Sequence, residues 1–189
     1  MSSINEDLKS LFIHIPKCAG TSMSNVSWNK GNGHSTIENY RNKINLNEYF
    51  KWCFVRNPFS RIVSAYVTCP EIKHLNFEDV VDLIYENRPK NFHVGTTWES
   101  VEDLGLGVRR IHFYPMFSLV GGEMDFVGRF ESLETDWEKV CSALKIFEAL
   151  PQKNICKVNY LDYYTSRLEK MVAEIYEKDF EFFNYPPSL

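Results

Sequence analysis

Leu11 to Ser22 reads LFIHIPKCAGTS, and the fold is decided by how this stretch is interpreted. Leu11, Phe12, Ile13 and Ile15 form a short apolar run of β-preferring residues, the pattern of a buried strand. Pro16 stops the run, and Lys17, Cys18, Ala19 and Gly20 make a tight turn of mostly small residues. Thr21 and Ser22 then open a helix expected to reach Trp28, with hydroxyl residues in the capping positions. Strand, lysine-bearing turn and helix start together describe an anion cradle. Backbone N–H groups and the positive helix end favour a phosphate, and Lys17 adds a full charge. An ordinary βα turn with a surface lysine fits this stretch alone equally well. A nucleoside-triphosphate loop does not, because that motif sets Lys-Ser or Lys-Thr directly after its second glycine. Here Lys17 precedes Gly20, and neither Gly-Lys-Ser nor Gly-Lys-Thr occurs in the chain.

Outward from this stretch, a helix is expected over residues 36–43 and a second buried strand over Tyr49 to Val55, YFKWCFV. That strand ends at Arg56-Asn57-Pro58. Pro58 suits the first helical position, where its missing N–H has no partner to lose. The following helix, Phe59 to Thr68, places Ile62, Val63, Tyr66 and Val67 at helical spacing. Asn76 to Asn87 is amphipathic, with Phe77, Val80, Val81 and Ile84 as its stripe. Residues 88–107 have no clear period, and a long irregular segment of this kind often carries function. Further strands are expected over Asp125 to Phe130 and Asn154 to Val158. Between them lies a helix with Trp137, Val140, Leu144 and Phe147 on one side. The last helix, Ser166 to Lys178, presents Leu168, Met171, Val172 and Ile175. The alternation predicts an α/β fold, a mainly parallel central sheet flanked by helices on both faces. With no repeats or linkers, residues 1–189 read as a single domain.

Composition narrows the function classes. A net charge of −4 argues against a broad nucleic-acid footprint, so any anion site must be locally basic. No apolar run approaches the ~20 residues of a membrane span. The polar N-terminus does not read as a secretory leader. Five cysteines without a CxxC pair suit reduced thiols in a cytoplasmic protein rather than a zinc site.

Arg56 stands at the end of the second strand, and Ser64 lies two turns into the next helix. Ligands of parallel α/β sheets collect at the carboxyl ends of strands, which puts Arg56 on the edge that carries the lysine turn. Two anion grips on one edge suit a nucleoside with phosphates at both ends. A structural ion pair for Arg56 and a helix-surface hydroxyl for Ser64 are the plainer alternatives.

IPKCAGTS followed by FVRNPFSRIVSAY resembles the two signatures of the PAPS-dependent sulfotransferases, specifically the carbohydrate branch that includes heparan sulfate 2-O-sulfotransferase. The resemblance continues through VGRFESL and KVNYLDYYTSRLEKMVAEIYEKDFEFFNY. It implies a P-loop-like sulfotransferase fold and PAPS as sulfuryl donor. Lys17, Cys18, Ala19, Gly20, Thr21 and Ser22 would bind its 5′-phosphosulfate, and Arg56 with Ser64 its 3′-phosphate. Cys18 and Ala19 stand where Thr-Gly is more usual, and Asn57 where Asp is frequent. The chemistry implied is in-line sulfuryl transfer to an acceptor hydroxyl, served by positioning and charge stabilisation without a metal. The second strand ends in Arg-Asn, with no Asp set for magnesium.

An acceptor hydroxyl calls for a base, and histidine is the natural one near neutral pH. His34 occupies the place of the catalytic histidine in heparan sulfate 2-O-sulfotransferase. His14, alternating with apolar residues, reads as a packed or hydrogen-bonded core residue, and His74 as a surface one. His112, in a His-x-x-Pro stretch like the family's acceptor side, and His93 and Trp98 in the irregular segment are substrate-side candidates. The acceptor is expected to be a saccharide or a small molecule. A small kinase is disfavoured by the absent triphosphate loop, and an inert nucleotide-binding protein of the same fold is the non-enzyme alternative.

Overall fold

A computed structural model describes residues 4–29, 34–88, 111–151 and 158–189. In chain order the elements are β1 (Ile4–Asn5), β2 (Ser10–Ile13), α1 (Gly20–Met23), α2 (Ile37–Arg41), β3 (Phe50–Val55), α3 (Pro58–Thr68) and α4 (Phe77–Asn87). They continue with α5 (Met116–Val120), β4 (Phe126–Arg129), α6 (Leu133–Leu144), α7 (Ser166–Ile175) and α8 (Glu177–Phe182). The chain forms two compact units, one of Met1–Arg56 with Leu119–Ile155 and the other of Asn57–Ser118 with Cys156–Leu189.

The first unit holds a four-stranded sheet in the order β1-β2-β3-β4. β2 pairs parallel with β3, Ile13 opposite Cys53, and β3 pairs parallel with β4, Val55 opposite Arg129. Their carboxyl ends therefore share one edge. β1 pairs antiparallel with β2 through Ile4 and Leu11. The expected mixed α/β, mainly parallel architecture is what forms. All four residues of β2 are buried, as their apolar run requires. Trp52 stacks on Phe12 at 4.4 Å and donates from Nε1 to Ser10 Oγ at 2.9 Å, so its one polar atom is satisfied inside the core. Trp28 and Trp137 stack at 5.8 Å and both lie near Trp52. Asp136 of α6 accepts from the Arg129 amide and the Ser132 hydroxyl, each at 2.8 Å, which ties the end of β4 to the helix.

The described residues of the second unit are mainly helical. Asn57 caps α3 by accepting from the Phe59 amide at 2.9 Å, with Pro58 at the first helical position. Asn76 and Asp79 form a capping box at the start of α4, whose buried residues are Phe77, Val80, Val81 and Ile84, the expected stripe. Phe59 packs edge-on to Tyr164 and against Phe180. Asp179 accepts from the amides of Met116 and Phe117, each at 2.8 Å, and Tyr176 donates to the Phe113 carbonyl at 2.9 Å.

Three expected helices differ in extent. α1 ends at Met23 instead of Trp28, and Asn25 Nδ2 donates back to the Thr21 carbonyl at 2.5 Å. Short polar side chains compete with the helical ladder in this way. α6 ends at Leu144, where Lys145 turns left-handed (φ 55°) and the Ile146 amide returns to the Cys141 carbonyl at 2.9 Å. Phe147 therefore falls beyond the stripe and is fully exposed, while Trp137, Val140 and Leu144 are buried as expected. The last helix breaks at Tyr176 into α7 and α8, a break that accompanies burial of Asp179 and Phe180. The two-residue β1 was not expected from its polar sequence. The strand expected from residue 154 falls largely outside the described residues.

Candidate active site

The edge where β2 and β3 end carries the turn Pro16–Ala19 and Arg56. In that turn Lys17 (φ 68°) and Ala19 (φ 65°) are both left-handed, a conformation L-residues adopt at a cost. Ala19, and no hydroxyl residue, occupies the N-cap of α1, and no side chain caps it. The expected hydroxyl cap is thus replaced by a backbone device. The amides of Ser22 and Met23 turn back to the Ala19 carbonyl at 2.9 and 3.2 Å. Those of Gly20 and Thr21 stand at the start of α1. With only four residues, α1 contributes little axial dipole to this edge. Thr21 is exposed, Ser22 buried and Lys17 partly exposed.

Arg56 reaches across the edge. Its Nη1 donates to the Lys17 carbonyl at 3.4 Å, and the guanidinium lies over the Phe130 ring at 4.2 Å. The aromatic face orients the planar cation without consuming its hydrogen-bond donors. Beneath the turn, the Cys18 side chain is buried with Sγ 3.6 Å from the Pro16 carbonyl. Burial, and secondarily Cys18, push the Cys53 thiol above its ordinary range, so it stays protonated.

His34 joins this cluster. Its Nδ1 lies 3.3 Å from the His14 carbonyl, and the two imidazoles sit 4.4 Å apart at 56°. A carbonyl only accepts, so Nδ1 is the donor. His14 itself is buried. Its ring lies so close to Gly20 that a Cβ placed there would fall within it. Glycine is demanded at this position by that contact rather than by a left-handed φ.

Of the residues singled out from the sequence, Lys17, Cys18, Ala19, Gly20, Thr21, Ser22, His34 and Arg56 all belong to the first unit. Ser64 belongs to the second, buried on α3, as does the half-buried His112 on the turn 111–113. His93 and Trp98 lie outside the described residues.

The sequence model of the sulfotransferase family matches residues 2–186. The chain belongs to the sulfotransferase family. No curated protein and no solved structure matches it significantly. Family membership makes the protein a transferase of sulfuryl groups in general terms and implies an acceptor substrate. Among the described residues, no helix of this sulfotransferase is long and apolar enough to cross a membrane, and no cluster of His, Cys, Asp and Glu is arranged to hold a metal.

Sequence reasoning missed Phe130 as the platform of Arg56 and gave His14 only a core role. Phe130 is the last residue of the strand pattern DFVGRF, and nothing in its spacing points to the cation. The alternation of His14 with Phe12 carried its burial but not its contact with Gly20.

Proposed function

We propose that this sulfotransferase uses PAPS and passes a sulfuryl group to a saccharide hydroxyl by in-line displacement, as one domain over residues 1–189. The observation that carries the reading is the hydrogen bond from Arg56 to the Lys17 carbonyl. It joins the first signature to the start of the second on the edge where β2 and β3 end, with three kinds of anion donor close by: an ammonium, amides and a guanidinium. That donor set fits a nucleotide bearing several anionic groups.

Bound there, PAPS supplies an activated sulfuryl group on a phosphate leaving group. Lys17 holds its ammonium at the oxygens on which charge develops. The Gly20 and Thr21 amides hold the 5′-phosphate, with Cys18, Ala19 and Ser22 shaping the turn. Arg56 offers paired N–H groups to the 3′-phosphate, a planar fork that suits it. His34, with its proton on Nδ1 fixed by the His14 carbonyl, keeps its lone pair on Nε2 and takes the proton of the acceptor hydroxyl there. Ser64 and His112 carry only the roles that the resemblance gives them. No step requires a metal.

Calorimetry with adenosine 3′,5′-bisphosphate and ATP, followed by transfer of labelled sulfate from PAPS to oligosaccharides, phenols and lipids, tests this. Metal-independent binding of the bisphosphate but not of ATP, with label entering an oligosaccharide, is expected. Failure to bind the bisphosphate overturns the donor assignment, and label entering phenols alone overturns the saccharide.

A further inference from the structure

His14 touches both halves of the candidate site. On one side its ring packs against Gly20, whose amide opens α1. On the other it lies 4.4 Å from the His34 ring, while its own carbonyl accepts from His34 Nδ1 at 3.3 Å. Phe12 stacks on it from behind at 5.7 Å and 19°, and β2, on which Phe12 stands, is wholly buried. The imidazole is therefore a wedge between Gly20 and His34. A displacement from Gly20 would press the ring on its packed neighbours, because interiors hold few voids.

We propose that His14 is a positioning residue that sets the offset between the anion-holding amides at Gly20 and the ring of His34. The inference rests on the function proposed above in taking His34 as the base. Its physical core, the coupling of Gly20 to His34 through an intervening ring, is a property of the folded chain. A side chain at position 20 would press on His14, and His14 would pass the displacement to His34. Removing the wedge would break that transmission. Small misplacements of reacting groups are costly in catalysis, so an effect on rate follows from the same geometry.

The test is a double-mutant cycle of Gly20→Ala and His14→Ala, read by ¹⁵N NMR of the His34 ring and by sulfuryl transfer from PAPS. In the native background, Gly20→Ala should move the His34 ring signals and lower kcat/KM roughly tenfold or more; with His14→Ala present, adding Gly20→Ala should change kcat/KM less than about threefold. Additive effects, or unmoved His34 signals in Gly20→Ala, overturn the proposal. Should His14→Ala fail to fold by circular dichroism, His14→Asn takes its place. The NMR response of Gly20→Ala decides the coupling alone. A native protein that transfers no sulfuryl group sinks the functional reading while leaving the NMR arm to decide this one.

Discussion

Arg56, which follows the last residue of β3, donates to the main-chain carbonyl of Lys17 in the turn after β2. The Arg56 guanidinium is thus tied to the backbone of the turn that carries Lys17. The guanidinium also lies over the Phe130 ring.

Arg56→Lys keeps the charge and loses the fork. Its affinity for adenosine 3′,5′-bisphosphate, measured by calorimetry, should fall about tenfold, and that of Arg56→Ala by about a hundredfold, the worth of charge-assisted bonds to a phosphate. Equal binding by Arg56→Lys would remove the guanidinium from the site.

Lys17→Ala should lower kcat for sulfuryl transfer by roughly 10²–10³, as loss of one preorganised charge-stabilising donor does elsewhere. The folded state should be no less stable by urea unfolding, because a partly exposed lysine contributes little packing. A variant with native turnover would show that the ammonium does not meet the developing charge.

His34→Ala should lower kcat by about 10²–10⁴ while leaving bisphosphate affinity within about twofold of native. The split between turnover and binding separates loss of a base from collapse of the edge. Unimpaired turnover would reassign the base without touching the donor site.

Gly128→Ala tests the sheet beneath the site. A Cβ at position 128 would come 2.5 Å from the Phe54 ring across the parallel β3–β4 pair. Urea unfolding should show a loss of about 1–3 kcal/mol, the usual cost of overpacking a core. An unchanged midpoint would mean that the Phe54 ring moves aside freely.

Asp179 gives the second unit a pH signature. Burial pushes its carboxyl up to about 6, against the opposing influence of Arg61 and the amides of Phe117 and Met116. The folded chain thus binds this proton more tightly than the unfolded one. The resulting stabilisation is full below about pH 4, near the ordinary carboxylate value, and is lost as pH rises through 6. The stability difference between the native protein and Asp179→Asn, followed by urea unfolding from pH 4 to 6.5, should shrink by on the order of 3 kcal/mol. A difference independent of pH would refute the assignment.

The sheet and the lysine turn were legible because apolar runs ending in Pro16 and Arg56 leave few alternatives to βα junctions. α4 was legible from its stripe and cap alone. What escaped the sequence came from tertiary contacts. β1 is two polar-flanked residues that pair only because β2 offers an edge. The break at Tyr176 coincides with hydrogen bonds to Phe113, Met116 and Phe117, some 60 residues away in sequence. At the site, Lys17, Gly20 and Arg56 could be named from motif spacing. The mutual packing of His14, Gly20 and His34 could not, since no periodicity connects a strand end, a helix start and the residue after a glycine.

The left-handed backbone at Lys17 and Ala19 puts protein engineering in tension with itself. Glycine at either position would relieve about 1 kcal/mol of unfavourable conformation per residue, part of it returned as added freedom of the denatured chain. Selection for thermal robustness alone would therefore drift toward glycine at position 17 and discard the cation that the proposed mechanism assigns to the sulfuryl oxygens. A stabilised library of this protein should be screened for turnover from its first round.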